Sequence, residues 1–324
     1  MLNEKSDAME NGLDYFVLDV FTETRLSGNP LAVVLNPGTL TSERMQAIAR
    51  EMNLSETTFV ERRDATVEQE QGVRVRIFTT QEELPFAGHP TLGTASLLRV
   101  IAPECAVDDT VSLALNVGRV PVRFDAQAGD AAWPTQGTMT QRDPEFGEVL
   151  NVGEVAHLTG LNEDDFDPSL PTQIVSTGTA FAIVPLRSAD ALRGLRVRQD
   201  EASAFLRVRG ARWFYVLGPE ASSTGSNAPE WRARMQFNGG EDPATGSAAG
   251  CAISHLVAHG AVAAGEKIHL RQGIEMGRPS DLFLSAEFRE ASASEPQTHA
   301  QGKVTNVRVG GSTVLVAKGR LFQP

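Results

Sequence analysis

Gly88-His89-Pro90-Thr91-Leu92-Gly93-Thr94-Ala95-Ser96-Leu97-Leu98-Arg99-Val100-Ile101 is one of two stretches that decide the fold. Pro90 stands where a first helical residue is favoured, because an amide proton lost there has no intrahelical partner to lose. A small and apolar run follows from Gly93. Residues 245–259 (TGSAAGCAISHLVAH) read the same way, nearly all small or apolar. A helix apolar on every side must be buried on every side. Pro90-Thr91-Leu92-Gly93-Thr94-Ala95 also echoes Pro243-Ala244-Thr245-Gly246-Ser247-Ala248, each about midway through its own half of the chain. The spacing predicts a β-rich lobe with one buried helix, made twice.

The surroundings of these helices are strand-like. Short β-branched or aromatic runs bounded by Gly, Pro, Asn or Asp predict strands at 15–21, 31–35, 57–61, 73–79, 111–115 and 119–124. In the second half the same reading gives 181–186, 212–217, 232–237, 267–271, 281–288, 303–309 and 313–317. Residues 41–51 (TSERMQAIARE) read as a surface helix, capped by Thr41 or Ser42 with Met45, Ile48 and Ala49 on one face. Residues 125–148 are polar and rich in Gly, Pro, Asp and Gln, the expected crossing between lobes, while 219–230 and 290–302 read as loops.

With 324 residues, 41% hydrophobic and 22% charged, the chain has room for two lobes and a core for each. No apolar run approaches the roughly 18 residues that cross a bilayer, and the first 13 residues have neither a basic start nor an apolar middle, so a cytoplasmic protein is expected, with no membrane partner. The 29 Lys and Arg against 41 Asp and Glu leave a net charge of −12, which repels a phosphate backbone and excludes nucleic acid as a partner. A small anion would be repelled too, so a site for one must supply its own short-range donors. Helix starts do this through their unpaired amides. Gly88 and Gly246 would let a ligand reach those amides, and Ser247 adds a hydroxyl. His89 and Asp242 put a titratable group beside each start; taken singly, an Asp there is more often a cap and a lone His more often a structural residue, and it is the pairing with two similar starts that singles them out. Cys105 and Cys251 form no C-x-x-C pair. Of the histidines 89, 157, 255, 259, 269 and 299, only His255 and His259 have i, i+4 spacing, with no acidic residue between them, so no metal and no cofactor is expected.

Five motifs then resemble the phenazine-biosynthesis isomerase family, PhzF-like. They are Leu26-Ser27-Gly28-Asn29-Pro30-Leu31-Ala32-Val33-Val34, Ala49 to Val60 (AREMNLSETTFV), Glu83 to Ala95 (ELPFAGHPTLGTA), Glu241 to Gly250 (EDPATGSAAG) and Gln272 to Ser280 (QGIEMGRPS). The resemblance implies an α+β, diaminopimelate epimerase-like fold: two pseudo-symmetric lobes, each a β-barrel wrapped around a central α-helix, with the active site between them. The implied boundaries are a disordered N-terminal extension at 1–13, a first lobe at 14–127 plus 312–324, and a second at 128–311.

The resemblance further implies a cofactor-independent isomerase that moves a proton on a small carboxylate of the trans-2,3-dihydro-3-hydroxyanthranilate kind. By motif, Glu56 would be the acid/base, while His89 and Asp242 would orient the substrate and polarise or relay. Gly88, Gly246 and Ser247 would hold its carboxylate, with Asn29 as a further polar contact. A lone carboxylate that takes a proton and returns it elsewhere suffices if burial raises its basicity. Relatives of this fold that invert stereochemistry place a thiol at each helix start; here both cysteines lie elsewhere, which argues against an amino-acid racemase or epimerase. A non-catalytic small-molecule-binding protein is the other alternative. A homodimer stays open as a partner. One departure from the family is the segment Phe237-Asn238-Gly239-Gly240, which runs straight into Glu241 where relatives often carry a longer, Pro-containing loop, and which bears on the choice of substrate.

Overall fold

The computed structural model describes residues 12–125, 132–220, 230–237, 239–289 and 302–322. The chain forms two compact units, one of Met1–Met139 with Gly311–Pro324, the other of Thr140–Gly310. In the first, β1 (Gly12–Val20), β2 (Asn29–Leu35), β3 (Glu56–Glu61) and β4 (Val73–Thr79) are followed by β5 (Thr110–Leu115), β6 (Gly118–Phe124) and β7 (Thr135–Thr140). The last strand of the chain, β15 (Lys303–Phe322), pairs with both β7 and β1 and so closes the ring. Pairing is antiparallel for β1–β2, parallel for β2–β3, antiparallel for β3–β4, parallel for β4–β5, then antiparallel for β5–β6 and β6–β7.

Each parallel pair needs a crossover. The first is α1 (Ser42–Met52), whose Met45 and Ala49 pack on Val34, Phe59 and Phe78 outside the barrel. After the short helix α2 (Ala65–Gln71), the second crossover is α3 (Gly88–Ile101), which touches β1, β2, β3, β5 and β6 and is buried from Gly88 to Leu98. An element touched by strands from all round the ring lies inside it. Gly93 marks how tightly it fits: a Cβ there would stand 2.7 Å from Leu31 Cδ2 and 2.7 Å from Val20 Cγ2.

The second unit repeats the scheme. Its strands are β8 (Glu145–Val149), β9 (Gln173–Ser176), β10 (Ala180–Pro185), β11 (Phe214–Glu220), β12 (Glu230–Arg234), β13 (Ile268–Gln272) and β14 (Ser280–Arg289), with the first part of β15 as the edge of the series. From β9–β10 to β14–β15 the pairings run antiparallel, parallel, antiparallel, parallel, antiparallel, antiparallel, the order found from β1–β2 to β6–β7. The duplication is therefore one of topology as well as of motif. The crossover before β11 holds α5 (Gln199–Arg207), and the one before β13 is α6 (Gly246–Ala258). This last helix touches β9, β10 and β14, strands far apart in the sheet order, so the sheet curves around it. A further core cluster joins α4 (Val152–Thr159) and α5 to the outer face of β9–β11 through Val155, Leu158, Leu206 and Phe214.

The boundaries differ from those read in the sequence. The change of unit follows Met139, not residue 127, because β7 pairs with β6 and stays with the first unit. Gly12 and Leu13 are not part of an extension but open β1, opposite Phe322 and Leu321. Residues 1–11, the rest of that expected extension, lie outside the described residues, as do 221–229 and 290–301 of the two expected loops. The expected strands 303–309 and 313–317 form one continuous strand. Among the described residues no helix is long and apolar enough to cross a membrane.

Candidate active site

In the first unit, three separate motifs converge. Asn29 opens β2, Glu56 opens β3 beside it with Leu31 as its parallel neighbour, and His89 is the second residue of α3. Helix α3 begins at Gly88, two residues ahead of Pro90, and Ala87 before it supplies no side-chain cap. By helix geometry the amides of Gly88 and His89 are left without intrahelical partners.

The His89 ring is 4% exposed and lies between the other two side chains. Its Nδ1 lies 3.2 Å from Asn29 Nδ2, and its Nε2 lies 3.4 Å from Glu56 Oε2. Burial lowers the pKa of His89 to about 3, so the ring is neutral at physiological pH. A neutral imidazole carries one proton. The Asn29 amide nitrogen can only donate, so Nδ1 accepts and the ring proton sits on Nε2, on the side of Glu56. Glu56 thus faces a polar but uncharged neighbour, with its own side chain 15% exposed. Thr58 on β3 and Thr94 on α3 share a 2.9 Å hydroxyl contact that ties strand to helix just below the trio.

The second unit gathers the remaining candidates around the start of α6. Gly246 is its first residue and is buried, and Ser247, the second, is half-buried. Asp242 is not the N-cap residue; Thr245 is, and its hydroxyl donates to Asp242 Oδ2 at 2.7 Å. Sequence reasoning missed Gln272, which donates from Nε2 to the Asp242 carbonyl at 2.8 Å and to Thr245 Oγ1 at 2.9 Å. Its Oε1 accepts from Thr245 N at 3.1 Å and from the Tyr215 hydroxyl at 2.9 Å. The signal for Gln272 was its place in the last family-like motif, which assigned it no role. Behind α6, Gln141 Nε2 donates to the Gly246 carbonyl at 2.8 Å.

Neither thiol has the character of an acid/base pair. Cys251 is buried, its pKa pushed up to about 11 by burial, and it rests against Thr177 Oγ1 at 3.5 Å. Burial also raises the pKa of Cys105, which sits in the short helical turn Pro103–Cys105. Among the described residues no group of three or more His, Cys, Asp or Glu is placed to hold a metal ion.

The sequence profile described as phenazine biosynthesis-like protein, PhzC-PhzF, matches residues 18–319. The chain belongs to the PhzF family. A trans-2,3-dihydro-3-hydroxyanthranilate isomerase of Pseudomonas aeruginosa is 34% identical over 311 residues, covering 95% of this chain and 99% of the relative. Among solved structures, a predicted epimerase from Pseudomonas aeruginosa shares 33% identity with a TM-score of 0.76, over 96% of this chain and 100% of that one. A PhzF-family protein of Bacillus anthracis, at 22% identity, shares the fold with a TM-score of 0.78 over 96% of this chain and 99% of its own. Match along nearly the whole length of the isomerase relative makes this PhzF-family chain an isomerase with the diaminopimelate epimerase-like fold.

Proposed function

We propose that the chain moves a proton within a small unsaturated carboxylate of the trans-2,3-dihydro-3-hydroxyanthranilate class, with Glu56 as the acid/base. The observation that carries this reading is the Glu56–His89–Asn29 trio. A carboxylate is held beside the Nε2–H of a neutral imidazole whose other nitrogen is engaged by an amide. Such a carboxylate can take a proton from a substrate C–H and return it to another carbon of the same conjugated system. The double bond shifts, no electrons leave the substrate, and Glu56 ends in its starting state. The neutral His89 donor polarises without bringing a cation that would hold Glu56 ionised through the cycle. The name of the Pseudomonas aeruginosa relative supports the choice of substrate class.

For the second unit the proposal is limited to its own helix start, where Gly246, Ser247 and Asp242 offer the amide, hydroxyl and carboxylate groups that would bind polar substituents. The racemase reading is disfavoured by the two thiols, one buried with a high pKa and the other in a short turn.

The test is turnover of trans-2,3-dihydro-3-hydroxyanthranilate in D2O, followed by NMR. The parent protein should isomerise it, with solvent deuterium appearing at the carbon that receives the proton to the extent that Glu56 exchanges during the cycle. Glu56→Gln keeps size and reach but removes the titrating group, and turnover should fall about 10²–10⁴-fold or more. Near-parent turnover in that variant would show that another group moves the proton.

A further inference from the structure

The hydrogen bonds around Gln272 have a direction. This side chain is 1% exposed and has two amide protons and two carbonyl lone pairs to satisfy. All four are used, and three of the four contacts fall on Asp242 and Thr245. The Thr245 hydroxyl receives a proton from Gln272 Nε2, so its own single proton is committed to Asp242 Oδ2. Tyr215 is fully buried and its pKa is held well above the ordinary phenol range, by burial first and then by the negative charge of Asp242. Its hydroxyl therefore remains a donor. The result is a chain of donors running Tyr215, Gln272, Thr245, Asp242. Gly273 locks the same turn from below: with φ +76°, any Cβ there would collide with the carbonyl of Arg278 and stand 2.7 Å from that of Pro243.

We propose that Gln272 is a positioning residue for the PhzF-type reaction: through Thr245 it fixes Asp242 as a hydrogen-bond acceptor at Oδ2 and sets the turn from which α6 begins. This rests on the reading of Asp242 as a substrate-orienting group. Gln272 does not touch the reacting atoms and acts by dictating which way the Thr245 proton points. Gln272→Glu is the discriminating change, since a carboxylate can only accept. The hydroxyl of Thr245 then turns its proton toward position 272, and Asp242 Oδ2 loses the Thr245 donor although size and burial are kept.

Two measurements test this, one without substrate. In the first, the Asp242 side-chain carbon is titrated by NMR in the parent, Thr245→Val, Gln272→Glu and the double variant. Tyr215 on β11, Cys251 on α6 and the Glu241–Arg234 ion pair on the neighbouring strands are the charged or titratable groups nearby and none is altered, while Gln272→Glu adds one carboxylate to them. Loss of the donor should move the midpoint of Asp242 upward by about one pH unit in Thr245→Val, and Gln272→Glu should move it further, by the lost donor and by the charge it adds. In the second, kcat/KM should fall about 10- to 100-fold in each single variant. The double variant should lose no more than the larger of these, while Thr245→Ser, which keeps the hydroxyl, stays close to the parent. An unmoved Asp242 midpoint in Thr245→Val, or losses in kcat/KM that multiply in the double variant, overturns the proposal. If instead Asp242 shifts as expected but Asp242→Asn retains parent turnover, the donor chain stands and the orienting role of Asp242 is what fails.

Discussion

Asn29 controls which nitrogen of His89 carries the proton, and Asn29→Asp inverts that control at almost constant shape. The carboxylate that replaces the amide offers only acceptors 3.2 Å from Nδ1, so the ring must turn its proton to Nδ1 or take a second one. In the first case the bare Nε2 lone pair sits 3.4 Å from Glu56 Oε2, and the donor beside the proposed acid/base is gone. In the second the ring becomes a cation between two carboxylates, which reverses the burial effect that holds its pKa at about 3 in the parent. Either outcome removes a neutral Nε2–H donor, and a general acid/base site deprived of its polarising partner should lose about 10²-fold or more in kcat. The assay is ring ¹⁵N NMR alongside turnover. The parent should show a protonated Nε2 and a bare Nδ1 at neutral pH, and the variant the reverse pattern or two protonated nitrogens. A parent ring protonated on Nδ1, or one that titrates near 6.5, refutes the reasoning whatever the rates.

The same ring predicts an acid-side loss of stability. Its folded pKa of about 3 lies below the unfolded value of 6.5, so the unfolded chain binds the extra proton between them, and stability present above pH 6.5 is lost as pH falls toward 3, by up to about 1.4 kcal/mol per pH unit. His89→Gln should flatten denaturant-derived stability against pH in that window, with the contribution of His255, pKa about 4, still present; an unchanged slope would mean that His89 is not buried neutral. Ser247→Ala should weaken calorimetrically measured binding of a substrate-like carboxylate such as 3-hydroxyanthranilate by about 1.5–3 kcal/mol if the hydroxyl makes a charge-assisted hydrogen bond, and unchanged affinity removes Ser247 from the site. Deleting residues 311–324 strips β1 of its β15 neighbour along its whole length and opens the barrel, so hydrogen exchange in β1–β7 should lose protection; a stable first unit in the truncated chain would contradict the closure.

What was legible in the sequence follows from where each residue's determinants lie. Residues 73–79 were read to their ends because the strand alternates buried Val73, Val75 and Ile77 with half-buried Arg74 and Arg76. The two central helices were legible because burial on all sides leaves no room for a polar face. Strand β7 was missed: TQGTMT reads as loop, and its strand character comes from β6 and β15 on either side of it. The missed β8 is exposed at every position and so has no alternation to detect. At the site, Glu56 carries no local signature, and only the family-like motif singled it out. Gln272 was invisible as a positioning group because its partners lie 27 to 57 residues away, and no local pattern encodes contacts at that separation.

The two helix starts are the most telling product of the duplication, because topology was copied and chemistry was not. Both helices fill the second parallel crossover of their unit, so each offers the same first-turn amides. Both starts lack a side-chain cap, but in the first unit the ring behind the start is forced neutral by burial and oriented by Asn29. In the second, a directed chain of donors ends on a carboxylate. A reaction that inverts a stereocentre asks for two matched acid/base groups, one for each face of the carbon. A reaction that shifts one proton along a conjugated acid asks for a single titrating carboxylate and for fixed, unequal surroundings that distinguish its starting and finishing positions. His89 with Glu56 at one start and Thr245 with Asp242 at the other are not copies of one acid/base group, so the duplication has kept the scaffold without keeping a matched pair.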